Sequence, residues 1–174
     1  EAFRECSSLT EITLPDTINE IGIGAFYLCS SLAEITLQGS LTVIKDSVFE
    51  GCSGLTKITL PKTITKIEQS AFRGCSSLTT INLSELKLTE IGSGAFYLCS
   101  GLTTLYLSKL KLTEIGIGAF HSCSGLTTIT LPESLTVIKD SVFEGCSSLT
   151  TITLPKSLTV INNSVFEGCS SLTE

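Results

Sequence analysis

A chain of 174 residues with 42% hydrophobic content is long enough to bury a continuous core. Its formal net charge of -6 arises from 17 acidic and 11 basic residues scattered along its length, and with no basic stripe a nucleic-acid partner is not expected. No apolar run reaches the roughly 18 residues of a membrane span and no signal-peptide succession is present, so direct membrane insertion is not expected either.

Eight cysteines, Cys6, Cys29, Cys52, Cys75, Cys99, Cys123, Cys146 and Cys169, follow one another at intervals of 23, 23, 23, 24, 24, 23 and 23 residues. A self-similar unit of this length predicts a solenoid, in which each coil buries its apolar side against its neighbours. The frame predicts one repeat domain over 1–174, about seven repeats of 23 to 24 residues, and because both ends fall inside a repeat, a fragment without caps.

In chain order, each repeat opens on an Ile-x-Leu pair such as Ile12 and Leu14, Ile35 and Leu37, or Ile58 and Leu60. This period of two, with threonines between, predicts a strand with one buried face. Pro15, Pro61, Pro132 and Pro155 follow it, and proline, lacking a backbone donor, should end the strand there. A second apolar pair, as in Leu158-Thr159-Val160-Ile161, predicts another short extended segment across the coil. The stretch from Ser141 to Cys146 is short but suits one helical or 3₁₀ turn with Phe143 inward. Gly51, Gly74, Gly145 and Gly168, just before cysteines, suit the chain reversal.

The Leu-x-x-Ile-x-Leu-Pro, Leu-x-x-Ile and Ala/Val-Phe-x-x-Cys pieces, repeated across the whole chain, resemble the leucine-rich repeat superfamily. More closely they are similar to the bacterial-surface-antigen type found in treponemal and Bacteroides-like proteins and in protozoan parasites such as trichomonads and Entamoeba. The fold this implies is an α/β solenoid: a curved, right-handed parallel β-solenoid with short helical or 3₁₀ turns. Gln38 stands where proline is expected, and the longer copies around Ser84–Lys87 and Ser108–Lys111 lack proline too and should bulge at the corner. The asparagine that closes the turn in better-known leucine-rich repeats is absent, with Thr17 or Ser134 nearby, so corner bonding must be arranged differently.

All eight cysteines occupy one phase and should form one column. Cysteine is a small hydrophobe, so reduced, interior thiols stacked below the phenylalanines are expected, with pairing inside the column subject to a demanding dihedral. His121 is the only histidine and no Cys-x2-Cys spacing occurs, which leaves no expected metal, cofactor or catalytic residue.

With Ile12 and Leu14 inward, their neighbours face out. The candidate binding face is therefore Glu11 and Thr13, Glu34 and Thr36, Lys57 and Thr59, Thr80 and Asn82, Thr104 and Tyr106, Thr128 and Thr130, and Thr151 and Thr153. Asn82 beside Tyr106 is its most distinctive centre, since tyrosine buries area while its hydroxyl finds a partner. The resemblance implies a protein-binding module of a cell-surface or secreted adhesin-like protein, its ligand unidentified. The competing reading is a structural spacer with no dedicated ligand. Head-to-tail self-association is a further expectation, because the two ends present nearly complementary coil faces.

Overall fold

The computed structural model describes residues 1–173, and within them the chain winds as a stack of coils, each with three sides. The first side carries strands β1 (Glu34–Thr36), β3 (Lys57–Thr59), β6 (Thr104–Tyr106), β8 (Thr128–Thr130) and β10 (Thr151–Thr153). The second carries the two-residue strands β2 (Val43–Ile44), β4 (Lys66–Ile67), β5 (Glu90–Ile91), β7 (Glu114–Ile115), β9 (Val137–Ile138) and β11 (Val160–Ile161). Every pairing is parallel and joins equivalent residues of successive coils, as in Ile35 with Ile58 and Ile67 with Ile91. Proline closes the first side as expected: the carbonyls of Pro61, Pro132 and Pro155 accept amides three residues on, from Ile64, Leu135 and Leu158.

The third side corrects the expected helical or 3₁₀ turns, because no described residue is α-helical or 3₁₀. Around Ser141–Cys146 the amides of Glu144 and Cys146 bond back three residues, to Ser141 and Phe143, while those of Ser141, Phe143 and Gly145 bond across to Asn163, Val165 and Glu167 of the next coil. Left-handed backbone at Ser141 (φ 57°) and Gly145 (φ 71°) causes the alternation. A reversal of sign every four residues stops a helix from propagating and turns alternate donors toward the neighbouring coil.

Each coil from that of Cys29 to that of Cys169 places two residues in this left-handed region, five and one before its cysteine. Where the first is Gly24, Gly94 or Gly118, the second is Leu28, Leu98 or Ser122; where the first is Ser47, Ser70, Ser141 or Ser164, the second is Gly51, Gly74, Gly145 or Gly168. One glycine per coil thus relieves one of two costly backbone conformations.

The interior is a single hydrophobic cluster with no buried polar or charged residue among those described. Phenylalanines from Phe3 to Phe166 stack with ring centroids 5.2–5.8 Å apart. That is somewhat wider than the roughly 4.8 Å between paired strands. The cysteine column lies beside the rings, reduced, and buried from Cys29 to Cys169. Cys6 departs from the expectation of an all-interior ladder: it is exposed.

The two longer coils do not bulge outward. Their extra residue makes a turn in which Leu86 and Leu110 bond back to Leu83 and Leu107, and both side chains are buried. Serine and threonine supply the corner bonding in place of asparagine: Ser134 and Ser157 donate to the carbonyls of Leu112 and Leu135 at 2.7 Å, and Thr63 does the same to Leu41.

Candidate functional site: the strand face

Alternation along the strands of the first side turns the predicted face outward. Glu11 joins the stack through a bridge to Glu34; Glu34 then registers with Lys57, and Thr36 with Thr59. Beyond the middle of the molecule, Thr104, Thr128 and Thr151 form one column, and Tyr106, Thr130 and Thr153 the other. Thr13, Thr80 and Asn82 are exposed in the same phase.

Between the two halves the sheet is interrupted. Residues 80–82 form no strand, so β3 and β6 do not share a ladder. Two depressions flank this segment. One, of about 370 Å³, is lined by Thr80, Asn82, Ser84, Thr104 and Tyr106; the other, of about 330 Å³, by Lys57, Thr59, Lys62, Thr80, Asn82 and Glu85. Asn82 is common to both. Its Oδ1 accepts from the amide and hydroxyl of Ser84 at 3.2 and 2.9 Å, which leaves the amide NH₂ as the group free to donate. Tyr106 is 58% exposed.

Threonines on this side fall into two kinds that composition alone cannot separate. Those one residue ahead of the strand position bond across the coils, as Thr127 Oγ1 does to the Thr103 carbonyl at 3.0 Å and Thr56 Oγ1 to that of Ala33. The outward threonines of the candidate face make no such bond among the described residues. The Oγ1 of Thr130, in register with Tyr106, is buried without any partner. Charge on the face is locally balanced, with Lys57 3.8 Å from Glu34 and Lys62 3.7 Å from Glu85.

A second cluster, on the third side, was not singled out from the sequence. The position two before each cysteine reads Arg4, Tyr27, Glu50, Arg73, Tyr97, His121, Glu144 and Glu167, and stacking makes neighbours of these residues. The guanidinium of Arg4 lies over Tyr27 and that of Arg73 over Tyr97, at 4.5 and 4.9 Å. Tyr97 meets His121 with ring centroids 4.8 Å apart, and His121 Nδ1 lies 3.7 Å from Glu144. Reading that column down the repeat, instead of along the chain, would have shown it.

Among the described residues, no three of His, Cys, Asp and Glu are grouped to hold a metal ion, and no helix is long and apolar enough to cross a membrane. The buried thiols are poor nucleophiles, since burial pushes Cys52 and Cys146 up to about 12 and raises Cys75, Cys99 and Cys123 well above the ordinary range.

The sequence matches the BspA type Leucine rich repeat region, in six copies, over residues 1–111 and 42–173. Among solved structures it is similar to a leucine rich repeat protein of T. pallidum, at 34% identity and a TM-score of 0.83, over 92% of this chain and 77% of that one. A leucine-rich repeat protein from Bacteroides ovatus matches at 32% identity and a TM-score of 0.80, over 87% of this chain and 39% of that one. One from Eubacterium ventriosum matches at 27% and 0.58, over 83% and 45%. No curated protein matches significantly.

Proposed function

Because the chain belongs to the BspA-type leucine-rich repeat family, we propose that it is a protein-binding module of a cell-surface or secreted adhesin-like protein and makes its contact through the strand face. The surface location and adhesive role rest on the family. The choice of face rests on one observation: an exposed Tyr106 and an amide donor on Asn82 border one depression where the sheet is interrupted. A rigid parallel stack offers an extended surface at little ordering cost, and an exposed tyrosine beside an uncommitted hydrogen-bond donor is the kind of pair that anchors an interface. The module is a non-enzymatic scaffold, with its polar groups spread by the repeat and not converged on one reacting centre.

The test is capture of host-surface or neighbouring-cell proteins by the immobilised chain, compared with an Asn82→Ala, Tyr106→Ala variant. Both residues are exposed, so thermal melts should match wild type. Loss of an anchoring tyrosine costs on the order of 2 kcal/mol, or roughly thirtyfold in affinity. Equal capture of every partner by the variant would transfer the role to another face or support a spacer.

A further inference from the structure

The third side carries a depression of about 460 Å³ that spans four coils, within the size range of ligand sites. Its floor is the bare backbone of Gly94 and Gly118, where neighbouring coils carry Ser70 and Ser141. Arg73, Tyr97 and His121 form one wall, and Ile117, 51% exposed, stands on another. Most of its polar side chains are free of hydrogen bonds. Among the described residues, Gln69, Ser70, Arg73, Ser93, Tyr97 and Ser141 make no side-chain hydrogen bond.

The two arginines of the chain occupy the same column and make the contrast. Arg4 donates to Glu1 at 2.7 Å and to Glu5 at 3.2 Å, so its fork is engaged. Arg73 has a carboxylate only at 3.8 Å, that of Glu50, whose other oxygen accepts from Ser47 at 2.6 Å. Stacking on Tyr97 holds the Arg73 plane in place while leaving its donors open. A pre-oriented, half-exposed guanidinium with free donors suits a planar carboxylate, which it can bind bidentately.

We propose that this depression binds a carboxylate-bearing sugar residue at the end of a glycan. The carboxylate sits on Arg73, the ring lies over Gly94 and Gly118, its hydroxyls meet the free side chains of Gln69, Ser70 and Ser141, and an apolar substituent rests on Ile117. One cation matches one carboxylate, and the surrounding neutral donors and acceptors match a hydroxyl-dense ligand. An acidic peptide fits less well, because several negative charges would approach Glu50 and Glu144 on a chain whose net charge is -6. The site is separate from the strand face, so its test is independent of the reading above.

The experiment is an amide-resolved NMR titration of the full chain with 3′-sialyllactose, lactose and a capped Asp-Glu peptide, each to about 10 mM, since single-sugar affinities are weak. Sialyllactose should give saturable shifts centred on Gly94, Gly118 and Tyr97. Arg73→Gln should weaken it by about ten- to a hundredfold, the effect of losing a hydrogen bond to a charged group. Gly118→Ser combined with Ser122→Gly reproduces the serine-then-glycine arrangement of the other coils, so the fold is kept while a side chain enters the depression, and binding should fall. Equal shifts with lactose, equal or stronger binding of the peptide, no shift at these residues, or an Arg73→Gln affinity equal to wild type would each overturn the proposal.

Discussion

The thiol of Cys75 donates to the carbonyl oxygen of Phe49, one coil earlier, at 3.1 Å. The same oxygen accepts the amide of Cys52 within its own coil, so one carbonyl ties a turn closed and links it to the next. Seven thiols repeat this bond, from Cys29 to Phe3 through Cys169 to Phe143. The column is a hydrogen-bonded ladder as well as packing. Cys75→Ser should therefore cost only about 1 kcal/mol, since the hydroxyl can donate to the same oxygen, and not the several kcal/mol of an unpaired buried hydroxyl. Urea denaturation would check it; a loss above about 3 kcal/mol would show that the serine does not make the bond.

Alkali should destabilise the fold. Burial raises the folded-state values of the central thiols, to about 12 for Cys52 and Cys146, above the roughly 8.5 of an unfolded chain. The stabilising contribution of the neutral thiols is thus complete below about pH 8.5 and is lost as pH rises from there toward 12. Each such thiol contributes up to about 1.4 kcal/mol per pH unit in that window. Denaturant midpoints should be flat from pH 6 to 8 and fall steeply by pH 10; replacing Cys52 with Ala should lessen the slope. A midpoint independent of pH across 8 to 10 would contradict the burial of the thiols.

Two glycines should fail for different reasons. A Cβ on Gly74 would meet nothing nearer than 3.7 Å, but the backbone there has φ +73°, so Gly74→Ala should cost about 1–2 kcal/mol through conformation alone. A Cβ on Gly54 would lie 2.4 Å from the Ser30 carbonyl oxygen of the previous coil. Gly54→Ala must then push coils apart, and the loss should exceed that at Gly74, as thermal melts of the two variants would show.

The two kinds of threonine should separate on mutation. Thr127→Val removes the 3.0 Å bond to the Thr103 carbonyl and should cost about 1 kcal/mol. Thr128→Val, next in sequence but with its side chain outward in β8, should be neutral within about 0.5 kcal/mol, because no bond is lost and valine suits a strand. Equal losses from the two would remove the distinction.

Much of the fold was legible in the sequence because a solenoid makes long-range contacts between equivalent positions. Once the cysteine spacing set the frame, Ile35 opposite Ile58 and Phe49 on Phe72 followed from counting. The outward phase of Thr128 and Thr130 was equally open to a period-two argument. The sheet interruption at Thr80–Asn82 was not, since that copy keeps the strand pattern in Ile81 and Leu83.

The repeat is written in the chain: its length, its buried positions, the strand that proline ends and the phase of the cysteine column are all consequences of which residues tolerate water and which backbones they allow. What the turns do and which surface groups meet depends on how the coils stack. The Ser141–Cys146 segment has the length of a helical turn, yet its alternate amides take their partners from the next coil, a choice that does not exist until that coil is in place. Arg73, Tyr97 and His121 are 24 residues apart in the chain and become one surface for the same reason: stacking replaces separation along the chain by a rise of about 5 Å per coil.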